Sequence, residues 1–208
     1  VVDKDLGKVI PLAFVMIAGP QLLSAIFLAT SENWRRNSAA YIAGAALSIT
    51  GIVTLAFYLS DGASRHGTSG KTLDIIFMVL LVAAGLHTYL TRKTSKPPKW
   101  MGELETANER RSFRLGFLLL GVFPTDILTS VAVGGSVARH GDPWWHVLSF
   151  VLLTLLFIAS PALLLIILGQ RAQKLLPEIR DWMNNNSWIV SEIVIGLFVA
   201  ITANSLAG

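Results

Sequence analysis

The sequence predicts an all-α integral membrane protein whose six transmembrane helices form two inverted three-helix repeats, with helices one and four broken at proline. Three observations predict it. Hydrophobic residues make up 53% of the 208 residues against 14% charged, and the mean hydropathy is +0.60, too apolar for a soluble domain of this size. The apolar residues fall into six runs of about 20, the length that crosses a bilayer core of about 30 Å. The first three runs and the last three carry matching signals, so residues 1–208 read as one transmembrane domain. Within it, 1–90 form the first repeat, 91–114 a cytoplasmic connecting loop and 115–208 the second repeat.

The runs follow in order. Gly7–Thr30 contains "PLAFVMIAGPQLLSAIFLATS", with Pro20 near its middle. It is too long for a signal peptide, its flank "VVDKDLGK" mixes both charges, and no A-x-A site closes it, so it is read as a span. Ser38–Leu59 is uninterrupted. Thr72–Leu90 opens with Asp74 at the second position of "LDIIFMVLLVAAGL" and carries His87 near its end. Leu115–Ala138, which follows Arg114 in "RLGFLLLGVFPTDILTSVAVGGS", contains Pro124 and a single ionisable residue, Asp126. Val147–Leu168 contains Pro161, which predicts a kink. Trp188–Ala207 carries Glu192 at the second position of "SEIVIGLFVAITAN".

Runs one and four match most closely. Each has a phenylalanine before the proline, a polar residue directly after it (Gln21, Thr125) and a hydroxyl residue shortly beyond (Ser24, Thr129). Because three is odd, two such halves enter the membrane from opposite sides, the plan of many secondary transporters. Twelve Lys and Arg fall in the loops after runs one, three and five, and five on the opposite face. Basic loops stay cytoplasmic, so both termini are expected outside the cytoplasm. Two segments of those loops read as amphipathic helices at the membrane interface. They are "PKWMGELETANERR", with Trp100, Met101, Leu104 and Ala107, and "AQKLLPEIRDWMNNN", with Leu175, Leu176, Ile179, Trp182 and Met183.

Proline is well placed at the first position of a helix, so runs one and four each read as two half-helices, the second beginning at Pro20 or Pro124. Met16 and Leu120 then lose their usual donors, and each new half-helix presents backbone N–H groups and a partial positive charge near the bilayer centre. Transporters build midplane sites from such breaks. Asp126, at the third position of its half-helix, has two readings. It caps its own helix, or it is a proton or ligand site, the default for an ionisable residue within a membrane. The expected substrate and proton path comprises Gly19, Pro20, Gln21, Ser24, Pro124, Thr125, Asp126 and Thr129, with Glu192 and Asn204 from run six.

Other chemistry is not expected. The chain has no cysteine, which removes disulfides, thiolate metal sites and thiol relays. The four histidines lack metal-ligand spacing, and neither a nucleophile–base motif nor a phosphate-binding glycine loop occurs. No enzymatic activity, resident cofactor or nucleic-acid partner is expected. A divalent-metal exporter would need oxygen ligands to converge, and only Asp126, Glu192 and Asn204 offer them.

The stretches "AGPQLLSAIFLATSENWRRNSAAYIAG", "PPKWMGELETANERRSFRLGFLLLGVFPTDILTSVAVG" and "NSWIVSEIVIGLFVAITANSLAG" resemble the glycopeptidolipid-addressing and sulfolipid-addressing proteins, a branch of the lysine-exporter superfamily. The resemblance implies a six-helix plasma-membrane protein of a prokaryote that helps export glycolipids or small solutes. It implies a small-residue–proline element in the first helix, here Gly19-Pro20. In the fourth it implies an Asn-Pro-Lys-like element, here Phe123-Pro124-Thr125-Asp126. Threonine stands where lysine is frequent in that pattern, and Asp126 gives this chain a different charge preference.

The reading reached is a secondary transporter that exports an amphiphilic or small polar substrate, with membrane lipids around it and protons as the expected energy source. The sequence also allows a homodimer. The competing class is an accessory or scaffold protein for lipid export, in which the prolines are kinks and Asp126 a cap.

Overall fold

The computed structural model describes residues 10, 12–14, 16, 17, 19–63, 104, 106–186, 189 and 196, and every regular element among them is helical. Helix α1 spans Pro20–Ala29 and begins at the proline that cannot donate to a preceding turn. It ends where Thr30 turns its hydroxyl onto the Ile26 and Phe27 carbonyls, at 3.1 and 2.9 Å. The Ser31 hydroxyl takes the Leu28 carbonyl at 2.7 Å. These side chains satisfy carbonyls that the end of a helix leaves open.

Helix α2, Trp34–Ala63, is the long central element. Helix α3, Glu109–Val122, is capped by the Asn108 side chain, which accepts from the Arg111 backbone at 3.0 Å. It starts ahead of Leu115, so the last residues of the expected connecting loop, 91–114, are already helical. Helix α4 is Pro124–Arg139, and a single 3-10 turn, Trp144–His146, leads into α5, Val147–Leu168. At Gly169, with φ 52°, the chain turns into α6, Gln170–Asn185.

By length and composition, Trp34–Ser60 and Trp144–Leu168 each suffice to cross a membrane. Helices α3 and α4 qualify together as one broken span bent by 65°. Leu47, Leu55, Leu118, Leu152, Leu156, Ile166 and Ile167 are exposed on these helices, as lipid-facing side chains are. The run Thr72–Leu90, and all of Trp188–Ala207 except Ile189 and Gly196, lie outside the described residues.

Glycine sets how the helices meet. A Cβ on Gly44 would collide with the backbone of Phe113 and Phe117, and one on Gly116 with the Tyr41 carbonyl. Further along, Gly121 faces the Ser48 hydroxyl and Gly134 the Val53 carbonyl. Lipid offers no hydrophobic drive for helices to associate, so close backbone approach through small residues supplies the packing. The contacts advance together, from Tyr41 to Val53 on α2 and from Phe113 to Gly134 on the other side. Helix α2 and the α3–α4 pair therefore run parallel.

Helices α1 and α5 run the other way. Trp144, just before α5, donates to the Thr54 hydroxyl late in α2 at 3.1 Å, while Leu165 and Trp34 line one cavity at the opposite end. Phe14 meets Phe157 edge to face, with ring centroids 6.4 Å apart. Pro161 lies buried inside α5, and the carbonyl it leaves without its usual donor, that of Phe157, accepts from the Ser160 hydroxyl at 2.7 Å.

The expected amphipathic stripe on α6 splits into two faces. Leu176 and Met183 turn inward with Ala172, while Leu175 and Trp182 stay exposed. Arg180 stacks over Phe27 of α1 at 5.0 Å and pairs with Asp181 at 3.0 Å. One end of the molecule thus gathers Arg35 and Arg36 at the start of α2, Arg110, Arg111 and Arg114 in the first turns of α3, and α6. An exposed Arg36–Glu109 contact at 3.5 Å joins the α2 and α3 starts there. We refer to it as the basic end.

Candidate functional site

Both breaks fall where the sequence places them. Gly19 adopts φ 115° and ψ −138°, a backbone conformation that a Cβ resists, and turns the chain into Pro20 at the head of α1. The first helical bond then runs from the Leu23 N–H to the Gly19 carbonyl at 3.1 Å. At the second break Phe123 is extended, φ −66° and ψ 125°, the conformation proline imposes on the residue before it. Its carbonyl accepts from the N–H groups of Asp126 and Ile127 at 3.0 and 3.1 Å.

Gly19→Ala tests the first break. Space is available, since the nearest atom to an added Cβ is Gln21 Oε1 at 3.6 Å, so the expected loss of about 1–3 kcal/mol comes from backbone strain alone. Thermal unfolding of the purified variant in detergent measures it. An unchanged midpoint would mean that the turn relaxes without the positive φ.

The two half-helices meet at their beginnings. Gln21 Nε2 donates to Asp126 Oδ2 at 2.7 Å, a bond between residues 105 apart in the chain. Gln21 is 2% exposed and Asp126 1%. Tyr41 of α2, itself buried, holds the first partner by donating its hydroxyl to the Gln21 carbonyl at 2.9 Å. Ser24 and Thr129, about one turn along α1 and α4, are buried as well, as is Ser130. Three polar atoms of this group, Gln21 Oε1, Ser24 Oγ and Ser130 Oγ, are buried without a hydrogen-bond partner.

This arrangement has a definite chemistry. A buried carboxylate is costly unless charge or hydrogen bonds compensate it. Here the positive ends of two helices and a carboxamide N–H face the carboxyl group. A protonated Asp126 would have a second option, because its O–H could donate to the free Gln21 Oε1. The site can therefore hold the group in either protonation state with a partner for each.

A family model described as Sap, sulfolipid-1-addressing protein, matches residues 9–206. The chain belongs to this family. No curated protein and no solved structure matches it. The Sap family match spans both breaks and the helices between them.

Of the expected path in this Sap family chain, Gln21, Ser24, Asp126 and Thr129 are brought into one buried region, with Gly19, Pro20 and Pro124 forming the turns that aim them. Thr125 occupies the second position of α4. Glu192 and Asn204 lie outside the described residues, as do Asp74, His87, Trp100 and Met101. Among the described residues no three His, Cys, Asp or Glu side chains gather where a metal ion could sit. Sequence reasoning missed Tyr41, Asn37 and Ser130. The signal for the first two was their spacing of four where run two begins, Asn37 just before it and Tyr41 within it, which puts both on one helix face.

Proposed function

We propose that this chain is a proton-coupled secondary transporter that exports an amphiphilic, glycolipid-like substrate across the plasma membrane of a prokaryote. One observation carries the reading: the buried Gln21–Asp126 hydrogen bond joins the beginnings of two broken helices from different halves of the chain. Membership of a sulfolipid-addressing family supports involvement in lipid export or addressing.

The course of the helices supports the inverted repeat. Ala63 ends α2 at one end of a parallel pair and Glu109 begins α3 at the other, the placement that a third span over Thr72–Leu90 requires. The half-helices α1 and α4 leave their meeting point in opposite directions, as halves of opposite orientation require. The concentration of arginine at one end supports its assignment to the cytoplasm and both termini to the outside. Surrounding lipid and a lipid-like substrate are the proposed partners.

The test is export of a fluorescent glycolipid from purified protein reconstituted in liposomes. Flux that rises with an imposed pH gradient and collapses when the gradient is dissipated is expected. A silent protein that instead co-purifies with an enzyme or another transporter would establish the accessory role.

A further inference from the structure

The seam between α1 and the first turns of α2 carries a series of buried polar side chains. Gln21 and Ser31 meet Tyr41 and Asn37 of α2; Ser24 lies one turn after Gln21 on α1, Ser38 lies beside Asn37 on α2, and all six are buried. Hydrogen bonds pin the seam at both ends. Tyr41 holds the Gln21 carbonyl at 2.9 Å, and Asn37 Nδ2 donates to Ser31 Oγ and to the Ala107 carbonyl, each at 2.9 Å.

Between those pins polar atoms outnumber partners. Gln21 Oε1, Ser24 Oγ, Asn37 Oδ1 and Ser38 Oγ are all buried and, among the described residues, without a hydrogen-bond partner. Buried polar atoms in folded proteins are nearly always bonded to protein or to ordered water. Helix–helix adhesion accounts for the two pins, but it leaves these four atoms unexplained. Each can bond a water molecule, and a hydroxyl both donates and accepts, which is what passing a proton along a hydrogen-bonded chain requires.

The seam is one-sided. It leads from the Gln21–Asp126 contact along the ten residues of α1 to the basic end, a distance of about 15 Å or half a bilayer core. Along α1 the buried Leu28 is the apolar step between Ser24 and Ser31. In the other direction, along the described α2–α4 contact, buried polarity stops after Thr129 and Ser130. Val133 follows on α4, opposite Val53 and Ala56 of α2, all buried, and Gly134 lets the two backbones close on each other.

We propose that the α1–α2 seam is a water and proton path joining Asp126 to the basic end, and that in this conformation the path toward the opposite end is sealed. The inference rests on Asp126 as the proton-carrying group. A hydronium proton enters beside Ser31 and Asn37, moves by exchange of hydrogen bonds past Ser38 and Ser24, and ends on the Asp126 carboxylate, leaving a water behind. Among the described residues, the titratable group facing Asp126 is Tyr41, which lies near enough to feel its charge. Helices α1 and α5 contain no ionisable residue, and those of α3, Glu109, Arg110, Arg111 and Arg114, sit in its first turns at the basic end.

The experiment follows the infrared carboxyl band of Asp126, assigned by its loss in Asp126→Asn, in liposomes carrying the full chain in one orientation. A pH step is applied in membrane-impermeant buffer to one face at a time. The band should answer a step at the basic end and remain unchanged over the same interval after a step at the other. Ser24→Ala, which removes one hydrogen-bonding link, should slow the response about tenfold, and Ser24→Thr should restore it. Equal response from both faces, or an unchanged rate in Ser24→Ala, overturns the path and leaves the proton-carrying role standing. A band that answers neither step overturns that role and the path with it. The two-sided comparison uses the unmodified protein, so it decides the question even if Ser24→Ala fails to fold.

Discussion

Asp126→Asn should reduce gradient-driven export by about a hundredfold or more, the range lost when a positioned proton-transfer group is removed, while the protein still folds and inserts. The substitution is nearly isosteric, and the asparagine oxygen can still accept from Gln21 Nε2, so the link between α1 and α4 persists. What disappears is the ability to gain and lose a proton. Stability should be unchanged within about 1 kcal/mol or should rise, because a neutral amide avoids the cost of burying charge. The dependence of export on external pH should flatten in the same variant. Liposome flux and thermal unfolding measured on one preparation separate the two roles of the residue. Gradient-driven export at the unmodified rate would reduce Asp126 to a helix cap, and an unfolded variant would make its role structural.

The second large effect is expected at the α2–α3 crossing. Gly116→Leu places a side chain where the Tyr41 carbonyl already lies, and Gly44→Leu does the same against the backbone of Phe113 and Phe117. The neighbour in each case is main chain, which cannot swing aside as a flexible side chain can. The helices must separate, and the loss should reach about 3 kcal/mol or more. Gly51→Leu is the matched control on the same helix, since nothing lies within 4 Å of a Cβ there, and it should change stability by less than about 1 kcal/mol. Midpoints of unfolding in detergent, with the monodisperse fraction after purification, measure both. Equal behaviour of Gly116→Leu and Gly51→Leu would show that the crossing is looser than the backbone contact implies.

The breaks in runs one and four were legible because proline acts locally. Pro20 and Pro124 lack an N–H whatever surrounds them, so a helix must begin there or a carbonyl go unmet. The burial of Asp126 followed from its isolation in an apolar run. Its partner did not, because no local pattern encodes a contact between residues 105 apart, and Gln21 could equally have bonded its own turn. Gly44 and Gly116 were visible as small residues in apolar helices, but which face each would offer depends on the neighbour it meets. Periodicity marked α6 as amphipathic and merged Leu175, Leu176, Trp182 and Met183 into one stripe. Packing against α1 and α5 then separated an inner face from an outer one, a distinction that requires knowing where the core lies.

Two helices whose main chains touch have no soft layer between them through which to slide. Helix α2 and the α3–α4 pair, which meet at main chain beside Gly44, Gly116 and Gly134, therefore form a rigid frame. Helix α1 is fastened to that frame by polar bonds from Tyr41, Asn37 and Asp126 and by buried side chains such as Leu23, Ile26 and Leu28. Each such polar bond contributes only about 0.5–1.5 kcal/mol net. In a transporter of the proposed kind, the arm that begins at Pro20 would be the part that moves against this frame. Arg180, stacked on Phe27 near the arm's far end, would then link that movement to α6.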